Sequence, residues 1–210
     1  TNGVGKVCDF TLKELLSFDA GYKYKKIDKN GTKIFPYRNK GLKIPQFEEV
    51  IIALKNNKNK YGFPLRFYLD FKSKLIIKTA LDFIKKQDLS QRVILGANNY
   101  SVNKELLKFR NPRMPISCDL WTGILVIILS KLGLLDYYHL KHDIYGSYES
   151  GNFIQFTEKR FIEKIHKRKK FYAVFGEKMD DSNFIQKMFD SNVDLLLTNK
   201  PKTMKRIIDK

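Results

Sequence analysis

The sequence contains few of the residue types on which disulfide frameworks and metal centres depend. Its 210 residues include 2 cysteines and 3 histidines. Two cysteines exclude the disulfide framework of a small secreted domain, and Cys8 and Cys118 lack metal-ligand spacing, so we expect them to be reduced packing residues. His139 and His142 could share a helical face, but no third ligand lies near them, and we interpret them as solvated side chains. These shortages favour a protein that is cytoplasmic or associated with the cytosolic face of a membrane.

Acidic residues are scarce relative to basic ones. Lysine and arginine number 40 against 22 aspartate and glutamate residues, for a net charge of +18, which would attract phosphates, anionic lipids or nucleic acid. Only 8 of the 40 basic residues are arginine, the side chain suited to bidentate readout of phosphate and guanine. A basic protein that binds nucleic acid or a membrane without catalysis is the alternative function. The aromatic residues recur at core-like positions instead of alternating with arginine, so we do not expect nucleic acid as a partner.

The chain also lacks a start methionine and a signal-like opening. It begins Thr1-Asn2-Gly3, from which we expect a fragment whose N-terminus lies upstream. No apolar segment reaches the ~20 residues that span a bilayer. The most apolar stretch, 120–135, has 16 residues and predicts either a buried helix or a membrane-facing helix, with a span as the third alternative. Trp121 at one end and Tyr137 and Tyr138 at the other would be the interfacial residues of the membrane-facing helix.

The sequence does contain a regular alternation of strand and helix patterns. With 43% hydrophobic residues, the chain can form one substantial core, so we expect one domain. Apolar runs at helical spacing separate the strand-like runs, which predicts right-handed βαβ units and a parallel sheet. The predicted strands are 64–72, 92–97, 114–118, 153–156, 171–175 and 193–201.

The first predicted strand carries an acid and a base within an apolar run. In "FYLDFK", residues 67–72, side chains alternate between the two faces of the strand. Tyr68, Asp70 and Lys72 therefore share one face, which is suited to chemistry or to water. The other three side chains are apolar and suited to packing.

Four segments, in this order, resemble the motifs of glycerophosphodiester phosphodiesterases. They are "TNGVGKVCDFTLKELLSFDAG", "IPQFEEVIIALK", "YLDFK" and "VDLLLTNKP". They resemble the Thr-Asn-Gly segment after the family's His-Asp motif, its Ile-Pro-x-Leu-Glu-Glu-Val helix, its Glu/Asp-x-Lys strand and its closing Val-Asp-Gly-Ile-Ile-Thr-Asp-x-Pro strand. The resemblance covers nearly the whole chain, which is therefore identified as a single partial domain of this family, residues 1–210.

Within the family, the chain is most similar to the membrane-associated lysophospholipase D members. Those proteins also have Asp in the strand motif, a stretch similar to "GANNY" and a hydrophobic insert, which here is 120–138. The likeness favours the membrane-facing interpretation of the apolar stretch. It implies a glycerophosphodiester or lysophospholipid substrate, hydrolysed in lipid metabolism, and a membrane surface as a partner.

The resemblance implies an α/β fold, namely a (β/α)8 TIM-type barrel of the phospholipase C-like phosphodiesterase kind, with its active site at the C-terminal ends of the strands. Asp70 would then bind a divalent cation, Mg²⁺ or Ca²⁺, and Lys72 would be the catalytic residue that stabilises charge on the phosphoryl oxygens. Phe175, or Val174 in another register, would line the substrate site. Asn98 would either reach the phosphate or cap the next helix.

The chain departs from the family at its beginning. In the family, the His-Arg-Gly, Glu-Asn-Thr, Glu-x-Asp and His-Asp motifs come before the Thr-Asn-Gly segment, and this sequence begins at that segment, so two strands of the barrel would be missing with them. A lone Asp70 binds a cation weakly, and no general acid is left for the leaving alkoxide. We therefore expect an inactive or truncated form, retained as an interaction module if it has a role of its own.

Overall fold

The computed structural model describes residues 1–149 and 158–209. The chain divides into two units, Thr1–Leu65 and Arg66–Lys210. The strand predicted at 153–156 lies outside the described residues.

The first unit contains two short helices and a hairpin. Helix α1, Leu12–Ser17, begins at a capping box in which Thr11 and Glu14 each accept a hydrogen bond from the other's backbone N–H. Strands β1, Lys26–Ile27, and β2, Lys33–Ile34, pair antiparallel and are exposed. Helix α2, Phe47–Leu54, follows with two glutamates in its first turn, where they interact favourably with the helix dipole.

The second unit alternates strands and helices, as the apolar pattern predicted. Its described strands are β3, Phe67–Asp70; β4, Val93–Gly96; β5, Ile144–Tyr148; β6, Phe171–Phe175; and β7, Leu195–Leu196. Its described helices are α3, Ile77–Lys86; α4, Tyr100–Lys108; α5, Leu120–Lys131; α6, Lys159–Lys167; α7, Ser182–Asp190; and α8, Pro201–Ile208.

The strands of this unit are parallel and lie in chain order. Strand β3 pairs with β4, while β5, β6 and β7 form a second ladder. Single parallel bridges, from Leu95 to Ile116 and from Ser117 to Ile144, join the two ladders. Consecutive neighbours are typical of a singly wound (β/α) barrel and not of a doubly wound sheet. Within the described residues the strands do not close into a barrel.

Three strand predictions differ from the structure. The predicted strand 193–201 is reduced to β7, Leu195–Leu196, and Pro201 begins α8. The predicted strand 114–118 is reduced to the bridges at Ile116 and Ser117, because Pro115 has no N–H to donate to a ladder. Strand β5 was not predicted. Its sequence, Ile-Tyr-Gly-Ser-Tyr, includes Gly146 and Ser147, which do not favour a strand.

Helix α5 is shorter than predicted and has two apolar faces. It ends at Lys131 instead of at residue 135, and Gly133 follows with φ of 73°, a conformation that favours glycine. On its packed side, Val126 and Ile127 join a core cluster that also contains Tyr145 of β5 and Tyr172 of β6.

The opposite side of α5 is exposed although it is apolar. Trp121, Leu125, Ile128 and Leu132, the last just beyond the helix, are 68%, 42%, 48% and 65% exposed. Their spacing places them on one helical face, which we call the exposed α5 face. One side of this stretch is therefore buried in the core, and the opposite side is exposed. No helix in the described part of the chain is both long and apolar enough to cross a membrane.

Candidate functional site

A cavity of about 160 Å³ lies at and just inside the C-terminal ends of the parallel strands. All four side chains predicted for the site, Asp70, Lys72, Asn98 and Phe175, line it. The other lining residues are Tyr68, Ala97, Ser117, Cys118, Asp119, Leu120, Ile144, Gly146, Ala173 and Leu197. The structure thus brings the four predicted residues together although Asp70 and Phe175 are 105 positions apart in the sequence.

Strand β3 and the two residues that follow it supply three of the polar lining groups by simple alternation. Tyr68, Asp70 and Lys72 face the cavity, whereas Phe71 is 4% exposed. The arrangement predicted for "FYLDFK" is confirmed at the level of the side-chain positions. Asp70 lies opposite Gly96 in the β3–β4 register, so the neighbouring strand presents no side chain beside its carboxylate.

Asp70 and Lys72 form an ion pair across the end of β3. The ammonium nitrogen of Lys72 lies 2.5 Å from Oδ2 of Asp70, and their side chains are 74% and 43% exposed, respectively. An ammonium group carries three hydrogens, so two of those on Lys72 remain for another acceptor. The pair therefore holds the ammonium at the cavity and leaves it able to bind an anion.

Asn98 and its neighbour Asn99 have different roles. Asn99 caps α4, since its Oδ1 accepts hydrogen bonds from the backbone N–H groups of Ser101 and Val102. The alternative in which Asn98 caps this helix is therefore wrong, because the capping residue is the next one, Asn99. Asn98 is exposed and lines the cavity.

The register of β6 decides between Phe175 and Val174 as the lining residue. Val174 is fully buried and belongs to the core cluster, whereas Phe175 lines the cavity. The Phe175 ring packs edge-on against Tyr148, with ring centroids 5.6 Å apart. Phe175 is thus the residue of this strand that an apolar part of a ligand would contact.

Two further lining residues were not predicted for the site. Asp119 is 2% exposed and caps α5, with Oδ1 accepting from the N–H groups of Trp121 and Thr122 and Oδ2 accepting from the Thr122 hydroxyl. An aspartate directly before an apolar helix is a capping signal, so the sequence could have located it. Burial raises the pKa of the Cys118 thiol to about 12, so this thiol stays protonated and is not a nucleophile at neutral pH.

Tyr68 and Ser117 bring two hydroxyl groups together in the cavity. Their oxygens are 2.6 Å apart, and the two residues are 49 positions apart in the sequence. Burial raises the pKa of Tyr68 above its usual value, so the phenol keeps its proton at neutral pH. This pair had no signal in the sequence, because it depends on the pairing of strands from distant segments.

The predicted Mg²⁺ or Ca²⁺ site is incomplete among the residues that the structure describes. Among residues 1–149 and 158–209, no three His, Cys, Asp or Glu side chains come together to hold a metal ion. The carboxylate of Asp119 is already engaged in capping α5, and Asp70 is the other carboxylate that lines the cavity. A divalent cation takes about six or more oxygen ligands, so the residues present do not fit the ion and no step below is assigned to it.

Three solved structures have a similar fold. A protein from Galdieria sulphuraria assigned as a glycerophosphodiester phosphodiesterase is 17% identical, with a TM-score of 0.68 over 100% of this chain and 74% of that chain. The glycerophosphoryl diester phosphodiesterase domain of a Mycobacterium tuberculosis protein is 13% identical, with a TM-score of 0.68 over 99% and 77%. The glycerophosphodiester phosphodiesterase of Agrobacterium tumefaciens is 15% identical, with a TM-score of 0.63 over 100% and 76%.

The chain has the fold of these phosphodiesterases. No protein-family profile matches the sequence, and no curated protein sequence does. At these identities the likeness concerns architecture, and it confirms the predicted α/β fold of the glycerophosphodiester phosphodiesterase type. The closer likeness to the lysophospholipase D members stays a prediction.

Proposed function

We propose that this chain carries the phosphodiester-binding part of a hydrolase domain that acts on glycerophosphodiesters or lysophospholipids. The observation on which this rests is the convergence of Asp70, Lys72, Asn98 and Phe175 on one cavity. The cavity lies at the strand ends, where enzymes of barrel folds have their active sites. The glycerophosphodiester phosphodiesterase fold supports the same conclusion by analogy.

Each of the four residues has a role in the proposal. The two remaining hydrogens of the Lys72 ammonium bind non-bridging phosphoryl oxygens, and the Asp70 carboxylate fixes the position of that ammonium. The Asn98 amide adds a neutral donor, and the Phe175 ring contacts carbon atoms of the ligand.

The size of the cavity indicates which part of a ligand it can hold. At about 160 Å³ the cavity is smaller than the roughly 300–1,000 Å³ of sites that enclose whole drug-sized ligands. An open groove of about 630 Å³ adjoins it, sharing Lys72, Asn98 and Leu120 and adding Tyr100 and Trp121. The cavity would hold the phosphodiester, and the groove would accept the remainder of a lysophospholipid.

We expect the 210-residue chain to bind glycerophosphocholine without hydrolysing it. No histidine lines the described part of the cavity, so no group of suitable pKa protonates the leaving alkoxide. Lys72→Met should weaken binding about tenfold, because a hydrogen-bonded charge contributes roughly 1.5–3 kcal/mol. Isothermal titration calorimetry measures the affinity, and release of choline in the presence of Mg²⁺ or Ca²⁺ measures hydrolysis.

The matched control is Lys74→Met, which removes an exposed lysine that does not line the cavity. Equal affinities of the Lys72 and Lys74 variants would contradict the binding role. Hydrolysis of glycerophosphocholine or lysophosphatidylcholine above the level of an Asp70→Ala variant would show that the chain is catalytically competent.

The membrane partner is a separate part of the proposal, supported by the exposed α5 face and by the net charge of +18. Apolar side chains with an interfacial tryptophan, together with an excess of lysine, suit an anionic bilayer surface. The double variant Trp121→Ser/Leu132→Ser should lower binding to phosphatidylserine-containing vesicles about tenfold in a sedimentation assay. Leu75→Ser, which removes an 88% exposed leucine elsewhere, should leave binding unchanged; equal losses would refute a specific face.

A further inference from the structure

The Tyr68–Ser117 pair has no role in the binding site proposed so far. Both residues line the cavity, and their hydroxyl oxygens are 2.6 Å apart. Ser117 is 6% exposed, so its hydroxyl is removed from bulk water. A buried polar pair of this kind in a ligand-sized cavity is a candidate contact for a polar ligand group.

The number of hydrogens on the pair shows what it offers to a ligand. Two hydroxyl groups carry two hydrogens, and their mutual bond uses one of them. No other hydrogen bond of either hydroxyl occurs within the described residues. One hydrogen therefore remains to be donated to an acceptor in the cavity.

Either hydroxyl can be the donor of the mutual hydrogen bond. Tyr68 is the more exposed of the two residues, 38% against 6% for Ser117. With Ser117 donating to Tyr68, the hydrogen of the tyrosine hydroxyl is the one left for an acceptor in the cavity, and this is the direction taken below. Because its pKa is raised by burial, Tyr68 keeps the hydrogen that this role requires.

Gly96 makes the pairing sterically feasible. A Cβ at position 96 would overlap the Tyr68 hydroxyl oxygen and would lie 2.7 Å from Oγ of Ser117. A non-bonded carbon does not approach an oxygen so closely without displacing it. Glycine within a strand normally weakens it, and Gly96, the last residue of β4, leaves room here for the two hydroxyls.

We infer that Tyr68 donates a hydrogen bond to a non-bridging phosphoryl oxygen of the bound ligand and that Ser117 positions it. The inference rests on the proposed function, since it concerns the same cavity. A phosphodiester monoanion has acceptors and no donors at its phosphoryl oxygens, so the single outward hydrogen of the pair matches it. Tyr68 and Asp70 are two residues apart on the same strand face, which places the hydroxyl beside the Asp70–Lys72 ion pair.

The test is titration of the 210-residue chain with glycerophosphocholine and, separately, with inorganic phosphate. Tyr68→Phe should raise the dissociation constant about tenfold, the usual effect of removing a hydrogen bond to a charged group. Gly96→Ala should have a similar effect. Tyr61→Phe, which removes the hydroxyl of a 62% exposed tyrosine that lines neither the cavity nor the groove, is the matched control and should leave the constant unchanged.

The role of Ser117 as a positioning residue has its own readout. Ser117→Ala should raise the dissociation constant about threefold in the unmodified chain and should have no further effect once Tyr68 is phenylalanine. If Ser117 acted only on the structure of the cavity, Ser117→Ala would raise the dissociation constant equally in the chain with Tyr68 and in the Tyr68→Phe variant. Circular dichroism and thermal unfolding of each variant establish that it is folded.

The outcomes separate this inference from the proposed function. If the unmodified chain binds, Lys72→Met weakens binding and Tyr68→Phe does not, the inference is overturned and the proposed function stands. If the unmodified chain binds neither ligand, both fall. A tenfold loss with Tyr68→Phe, together with an unchanged Tyr61→Phe variant, supports the inference.

Discussion

Asn103→Ala should lower the free energy of unfolding by about 3 kcal/mol, because three buried groups would each lose a hydrogen-bond partner at a cost of roughly 1–3 kcal/mol per group. Asn103 is fully buried. Its Nδ2 donates to the carbonyl oxygens of Ala97 and Ser117 at 3.1 and 2.8 Å. Its Oδ1 lies 2.7 Å from Nε2 of His142. Urea denaturation followed by far-ultraviolet circular dichroism measures the change.

The matched control for Asn103→Ala is Asn98→Ala. Asn98 is exposed, so the same chemical change there should alter stability by less than about 0.5 kcal/mol. If the two variants were equally stable, the network around Asn103 would not hold the strand ends together in solution.

The stability of the chain should fall as the pH is lowered from 7 to 4.5, and His142 should be responsible for a loss of about 2 kcal/mol over this range. Burial is the main cause that lowers the pKa of His142 to about 4 in the folded chain, from the ordinary histidine value of 6.5. Between these two values the unfolded chain binds a proton that the folded chain does not. The stabilisation is therefore fully present above pH 6.5 and is lost as the pH falls towards 4.

The hydrogen bonds of His142 explain this low pKa in structural terms. Both Asn103 amide hydrogens are donated to carbonyl oxygens, so Oδ1 must accept from His142 Nε2–H. Protonation would then add a hydrogen at Nδ1, which is buried and has no hydrogen-bond partner in the structure. An imidazolium in that position would leave a buried charged donor unsatisfied.

Two variants isolate the contribution of His142. In His142→Gln the difference in unfolding free energy between pH 7 and pH 4.5 should become smaller by the amount assigned to the histidine. His139→Gln should preserve the difference, because His139 does not share the buried position of His142. An unchanged pH dependence in the His142 variant would assign the loss to carboxylates instead.

The sequence alone predicted the parts of the site that depend on local geometry. Alternation along one strand was enough to place Asp70 and Lys72 on a common face, because that property belongs to the strand itself. Two points stayed open, the choice between Phe175 and Val174 and the role of Asn98, because a shift of one residue changes each of them. The pairing of β5 with β6 decided the first point, and the cap at Asn99 decided the second.

Other features depend on contacts between distant segments and had no local signal. His142 was interpreted as solvated, yet it is 4% exposed and bonded to a residue 39 positions away. Strand β5 contains glycine and serine and is a strand because the neighbouring parallel segments pair with it. The hydroxyl pair in the cavity required two strands to be brought together before it could be recognised.

The amide of Asn103 has a consequence for the shape of the cavity. It joins the carbonyl groups of Ala97 and Ser117, and both of these residues line the cavity wall. The distance between two adjacent strand ends is therefore set by the width of a single carboxamide group. A side chain longer or shorter by one methylene would change that distance, and with it the spacing of the groups that face a ligand.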